Sequence, residues 1–258
     1  LYLEKNIIIK DDLNNFTIKL SKDIKIDINK NKKILQFQKF NEYDQIFIFG
    51  KEIDNWKFKL NDLSDSNQNY YEKKFLTKYH LTGCLNFYDI NIKNVNLEIS
   101  NSICEDAVNF KRVTGSINNI KVVNSKFDGV DYDYSNLKIN YSQIKNAKND
   151  CIDFSKGKYI LLDIILINCL DKSVSIGERS NLNIENAKIY SSNIGIAVKD
   201  SSYVKINKIN FFDTNMCFAI YRKKDEFYGA QLKIDNIHCD SNNFFIQSNS
   251  KLYLENHD

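Results

Sequence analysis

Apolar residues return at a fixed interval along most of this chain. Val108, Val130, Ile152, Val174, Ile196 and Phe218 are each 22 residues apart. Leu85 precedes the first by 23 residues and Phe244 follows the last by 26. Around each sits a short strand-like beat: LNF, VNF, VDY, IDF, VSI, IAV, FAI and FFI. Period-two alternation marks a strand. One such beat at a fixed long period marks a coiled β-solenoid. LKINYSQI, YILLDIILI, LNIENAKI and VKINKINFF supply a second and a third alternation in each period. The expected fold is all-β: a right-handed parallel β-helix with three strands and about 22 residues per turn.

Polar residues keep the same step. Asn124, Asn146 and Asn168 are 22 apart, as are Asn149, Asp171, Asn193 and Asn215. Stacked amides at tight turns bond to neighbours above and below, so these ladders read as structural. Residues 1–83 are strand-rich but irregular, with FTIKL, KIDI, KILQFQKF, QIFIFG and WKFKL separated by polar turns. They are expected to cap the open end of a helix formed by residues 84–258, because an uncapped end exposes unpaired strand groups. Residues 61–82 break the rhythm and read as a loop or a short helix.

Composition narrows the function classes only a little. With no proline and 8 glycines, the turns must rely on Asn, Asp and Ser. The 36 basic and 33 acidic residues nearly balance, which gives no electrostatic case for nucleic acid. No apolar run reaches the roughly 18–20 residues that span a bilayer. The chain opens at Leu1 and closes on KLYLENHD, which reads as the start of another strand. A piece of a longer or processed chain is expected, with further domains of the same polypeptide as one candidate partner.

The six cysteines show no CxxC spacing. Cys84, Cys151 and Cys217 share one slot of the repeat, and Cys169 and Cys239 share another, each three rungs apart. Rungs about 4.8 Å apart put such residues roughly 14 Å from each other. A disulfide needs Cα atoms within about 7 Å. Only Cys84–Cys104 stays geometrically open, so buried thiols and a reducing or bacterial setting are the expectation.

The rungs GVDYD, NDCIDFS, DKSVSIGERS, IGIAVKDSS and YRKKDEFYGA resemble the β-helix repeats of the pectate-lyase-like superfold, over Leu85 to Ala230. They look most like the repeat domains that accompany surface-polysaccharide and spore-coat-kinase-type proteins. The resemblance implies the fold. It leaves activity open among lyases, hydrolases, epimerases and noncatalytic surface proteins. It also implies that a polysaccharide cleft would lie on the outer face of the first strand.

That outer face carries Asn109, Asp131, Asp153, Ser175, Ala197 and Ala219 in one ladder, with Lys111, Asp133, Ser155, Gly177, Lys199 and Tyr221 beside it. Asp131, Asp133 and Asp153 share one face at separations of about 5–7 Å. Such crowding needs a Ca²⁺ ion, a raised pKa or nearby Lys111 and Lys156 to offset it. The plainer alternative is a solvated acidic stripe. Higher up stand Glu178, Lys199 and Arg222 on successive rungs. A lysine base beside an arginine, with acidic residues on Ca²⁺, is similar to the arrangement in β-helix polysaccharide lyases. By that likeness Lys199 and Arg222 are the catalytic candidates, and Asp131, Asp133, Asp153 and Glu178 the cation ligands. The rung YRKKDEF departs from the lyase pattern, because no histidine and glycine adjoin its arginine. Surface ion pairs across the rungs are the plain alternative. An insertion near RKKDEFYG adds Lys223, Lys224, Phe227 and Tyr228, which with Lys111 are the substrate-binding candidates, the rings for stacking on a sugar. A plain surface loop is the alternative there.

The sequence therefore points to a polysaccharide-associated β-helix that binds an anionic glycan. Modification of lyase or epimerase type is left open. The alternative is a noncatalytic solenoid that acts as a spacer or interaction domain of a larger surface or assembly protein.

Overall fold

The computed structural model describes residues 3–64, 80–241 and 243–257. The loop or helix expected at 61–82 falls largely outside these residues. Among the described residues there is no helix, and so none long and apolar enough to cross a membrane. The chain forms a parallel β-helix. Its first six strands are β1 (Leu3–Lys10), β2 (Asn15–Ser21), β3 (Lys25–Asn29), β4 (Ile34–Lys39), β5 (Ile46–Asp54) and β6 (Lys57–Asp62). The coils continue as β7 (Gly83–Ser102), β8 (Asp106–Ser125), β9 (Asp128–Asp133), β10 (Asn136–Ala147), β11 (Ile152–Ser155), β12 (Lys158–Gly177), β13 (Asn181–Lys199) and β14 (Tyr203–Tyr221). Three shorter strands end it: β15 (Gln231–Cys239), β16 (Phe244–Ile246) and β17 (Lys251–His257).

The strand register reproduces the 22-residue step. Leu85 pairs with Val108, Val108 with Val130, Val130 with Ile152, Ile152 with Val174, and so on to Phe244. Ile46 of β5 pairs in parallel with Leu85, which adds a rung below the repeat visible in the sequence. The inner face of these rungs is dry. Phe87, Phe110, Tyr132 and Phe154 stack face to face with centroids 5.0, 5.0 and 4.9 Å apart. That spacing is the strand spacing itself, so the backbone ladder sets the ring stack. Each stacked pair adds about 0.5–1.5 kcal/mol beyond its buried area.

The turn asparagines behave as expected. Asn101, Asn124, Asn146 and Asn168 all have positive φ, between 58° and 62°. Asn124, Asn146 and Asn168 each donate Nδ2 to the Oδ1 of the asparagine one rung below, at 3.0, 2.9 and 3.0 Å. Asparagine tolerates the left-handed region, so one residue type satisfies both the turn and the ladder. A second positive-φ column runs through Asp89, Arg112, Tyr134, Lys156, Glu178 and Asp200, the corner after the first strand.

The lower end is closed by antiparallel pairing. β1 pairs with β2, β2 with β5, and β3 with β4. Phe16 and Trp56 meet edge-on at 5.6 Å beneath the aromatic stack. At the other end, Phe244, Phe245 and Ile246 of the last rung are exposed.

The expectation of free thiols is overturned, while Cys84–Cys104, the one pair left open by the spacing, is among the bonds formed. All six are paired, as Cys84–Cys104, Cys151–Cys169 and Cys217–Cys239, with Cα separations of 5.4, 5.5 and 6.3 Å. The slot shared by Cys84, Cys151 and Cys217 is real, but its members do not bond to each other. Each reaches a cysteine 18–22 residues further on, where the coil has returned to the same corner. Cys169 lies above Ala147, just across that corner from Cys151. Cys239 also does not share the slot of Cys169. It stacks on Phe211, whereas Cys169 stacks under Ser192. The reducing setting drawn from free thiols falls with them.

Candidate functional site

The first strand of each coil presents three columns on its outer side. The register runs Asn86, Asn109, Asp131, Asp153, Ser175, Ala197 and Ala219 down the middle. On one flank stand Lys111, Asp133, Ser155, Gly177, Lys199 and Tyr221. On the other stand Asp106, Asp128, Asp150 and Lys172, at the corner where the strand begins. The middle column points outward, yet it is recessed. Asn109, Ser175 and Ala197 are 0% exposed, so flanking groups rise above them.

Six aspartates meet on this face within three rungs: Asp106, Asp128, Asp131, Asp133, Asp150 and Asp153. Three were singled out from alternation. Asp106, Asp128 and Asp150 were missed, although they too step by 22. Alternation assigns them to the inner side, but the corner turns them out. Their contacts differ along the column. Asp128 Oδ1 accepts from Asn149 Nδ2 at 2.6 Å and from the Asp150 backbone N–H at 2.8 Å. Asp150 Oδ1 accepts from the Lys172 backbone N–H at 3.0 Å and lies 3.3 Å from Lys172 Nζ. Thr82 Oγ1 donates to Asp106. Asn109 Nδ2 donates to Asp131 Oδ2 at 2.7 Å, and its own Oδ1 is buried with no partner.

Crowding and burial hold five of these carboxyls, those of Asp106, Asp128, Asp131, Asp133 and Asp150, towards the protonated form. Burial raises Asp128 to about 7, with the Asp150 charge adding to it. Asp106 and Asp131 rise well above the usual range, first through burial and then through neighbouring aspartates. Asp133 is raised by burial although Lys111 Nζ lies 3.4 Å away. Asp150 is raised by burial against the pull of Lys172. A carboxyl buried among like charges keeps its proton because ionising it there is costly.

Lys199 is the one predicted residue whose setting suits chemistry directly. It is 6% exposed. Its side chain folds back one rung, placing Nζ 2.6 Å from Ser175 Oγ. Gly177 gives it room: a Cβ there would meet Lys199 Cε at 3.7 Å. Burial lowers its pKa, with Asp153 acting in the opposite direction. A lysine of that kind is a better base than a solvated one.

The other predicted residues are dispersed. Arg222 is half exposed and pairs with Asp225 at 3.7 Å, out on the loop after β14. Glu178 lies between Lys156, at 3.6 Å, and Lys224. Burial alone would raise it, but the Lys224 and Lys156 contacts outweigh this and lower it. The backbone N–H groups of Lys223 and Lys224 both donate to Asp200 Oδ1, at 2.6 and 2.9 Å, which pins the inserted loop to the rung below. Phe227 is 7% exposed and lies under the Arg179 guanidinium, whereas Tyr228 is 81% exposed. Lys111 Nζ reaches both Asp133 and the His80 carbonyl.

No protein-family model matches this chain, and no curated protein or solved structure matches it either. The chemistry must therefore be read from the face itself. Among the described residues, the His, Cys, Asp and Glu ligand atoms that gather in threes within 4.8 Å are those of Asp62, Cys84 and Cys104. Both of those cysteines are already bonded to each other. Asp131, Asp133 and Asp153 offer a divalent cation an all-oxygen donor set, which the unpaired Asn109 Oδ1 extends. In their present arrangement they are spread along the rungs. Glu178 is already held by two lysines.

Proposed function

We propose that this β-helix binds a polysaccharide along the outer face of its first strands and cleaves it by carboxylate acid–base chemistry. The observation that carries this is the six-aspartate face, where Asp128 is held near pKa 7 beside other carboxyls. A carboxyl with that pKa still holds a proton to donate to a leaving oxygen near neutral pH. A neighbouring carboxylate then activates water or stabilises the developing positive charge on the sugar.

Lys199 favours a second reading, of lyase or epimerase type on an anionic glycan. There Lys199 takes the proton next to a uronate carboxylate. A Ca²⁺ ion held by Asp131, Asp133, Asp153 and Asn109 would neutralise that carboxylate and acidify the carbon. Arg222 follows Tyr221, which is in register with Lys199, but its guanidinium is turned onto Asp225 at 3.7 Å, so this reading rests on Lys199 rather than on the arginine.

Product analysis separates the readings. The protein is incubated with acidic, neutral and amine-bearing polysaccharides, with and without Ca²⁺, and reducing ends and unsaturated uronates are followed in parallel. Reducing ends without unsaturation, reduced about 100-fold or more in Asp128→Asn, are the expected result. Unsaturated ends that vanish in Lys199→Ala would establish the lyase reading instead. No product from any polysaccharide would remove catalysis and leave a binding or spacer solenoid.

A further inference from the structure

We infer that the glycan taken by this face carries free amino groups: an oligosaccharide of de-N-acetylated hexosamines, bound through its ammonium groups. This rests on the reading of the aspartate face as a glycan site and names its substrate class.

The first argument is charge. Among the described residues, six aspartates face three lysines, and each of those lysines is already engaged. Lys111 holds Asp133 and the His80 carbonyl. Lys172 holds Asp150 and Asp171. Lys199 is turned onto Ser175. Asp106, Asp128, Asp131 and Asp153 have no described lysine or arginine as partner. Ionising them together would set them against one another, which holds Asp106, Asp128 and Asp131 towards the protonated form; an incoming cation favours the ionised forms and an anion opposes them.

The second argument is independent of charge. Asn109 is fully buried, and its Oδ1 accepts nothing. Its Nδ2 is committed to Asp131 at 2.7 Å, so the free oxygen lies beside that carboxylate. An unsatisfied buried acceptor costs about 1–3 kcal/mol. A ligand donor that parts the flanking groups covering Asn109 recovers that cost. An ammonium has three donors and no acceptor, which matches the Asn109 oxygen and carboxyls that become pure acceptors once a cation draws off their protons. A sugar hydroxyl would satisfy Asn109 but leave the carboxylates unrelieved. A bare divalent cation would satisfy the charge, but it asks the oxygens to gather around one point. Ammonium groups repeated along a polymer accept the present spread of carboxylates over successive rungs.

The test is calorimetric titration near neutral pH in EDTA with a glucosamine hexamer. Its N-acetylated counterpart, spermine, and oligogalacturonate with and without Ca²⁺ serve as comparisons. Asp131→Asn and Asp153→Asn are measured beside the native chain. Neither removes an apolar contact and both relieve repulsion, so they should fold, which a melting curve checks. The expected result is hexamer binding in EDTA that weakens at least about tenfold in each variant, roughly 1.4 kcal/mol. The N-acetylated chain and spermine should each bind at least about tenfold more weakly than the hexamer. Equal binding of spermine, or hexamer binding untouched by both variants, would show attraction by charge alone and overturn the inference. Oligogalacturonate binding with Ca²⁺, without hexamer binding, would overturn it while leaving the glycan face in place. No oligosaccharide binding at all would sink the inference and the glycan reading together.

Discussion

At the scale of single residues, the aspartate face trades stability for proton-holding carboxyls. Asp128 is raised from 3.8 to about 7 in the folded protein, so the folded chain binds more protons than the unfolded chain between those values. Its contribution is present below the unfolded pKa and is lost as pH rises through about 7. The shift corresponds to a cost on the order of 4 kcal/mol at higher pH. Asp106 and Asp131 act in the same direction. Unfolding by urea should therefore show a more stable protein at pH 5 than at pH 8. Asp128→Asn keeps an acceptor for the Asp150 N–H and should shrink that difference. A native protein equally stable at both values would contradict the protonated cluster.

At the scale of elements, the corners carry as much information as the strands. Asn146 donates to Asn124 and accepts from Asn168, in a left-handed conformation. Asn146→Ala removes both amide bonds and puts a Cβ-bearing residue without a compensating amide at positive φ. A loss of about 2–3 kcal/mol is expected in chemical denaturation. Asn146→Gly removes the bonds but suits the backbone, so it should lose less. If the two variants lost equally, the amide ladder rather than the turn would dominate this corner. The inner stack makes a sharper demand. Phe154→Ala opens a void against Tyr132 and Tyr159, whose rings lie 4.9 and 4.6 Å away, and should cost about 3–5 kcal/mol by the same measurement.

At the scale of the whole molecule, three disulfides staple the corner where coils begin, with Cys84, Cys151 and Cys217 each three rungs apart. Loops of 18–22 residues are worth roughly 3 kcal/mol each by chain entropy. Such bonds persist in oxidising compartments. Alkylation of the denatured, unreduced protein should leave all six cysteines unlabelled, and prior reduction should label all six, as read by intact mass. Label on the unreduced chain would contradict the pairing. Reduction should also lower the melting temperature without abolishing the coils, because the core columns run unbroken past each staple.

What the sequence determined by itself was everything that depends on a constant step. The coil, the inward column from Leu85 to Phe244, the asparagine turns and the Asp131–Asp153 pair all follow from a spacing of about 22, because a parallel register turns a step in sequence into a neighbour in space. The same step held Asp106, Asp128 and Asp150, but alternation fails at a corner, and only the bend shows which way they face. Tertiary structure alone decided what depends on side-chain reach and on adjacent corners. It paired cysteines across a corner rather than along a column, because the returning coil brings residues 18–22 apart to within 5.4–6.3 Å. It folded Lys199 back over Gly177 onto Ser175, tied Glu178 between two lysines, laid Phe227 under Arg179 and sent Arg222 out to Asp225. A periodic pattern sets where each Cα stands. The direction of a long side chain, and the charges gathered around it, emerge only when neighbouring rungs are packed together.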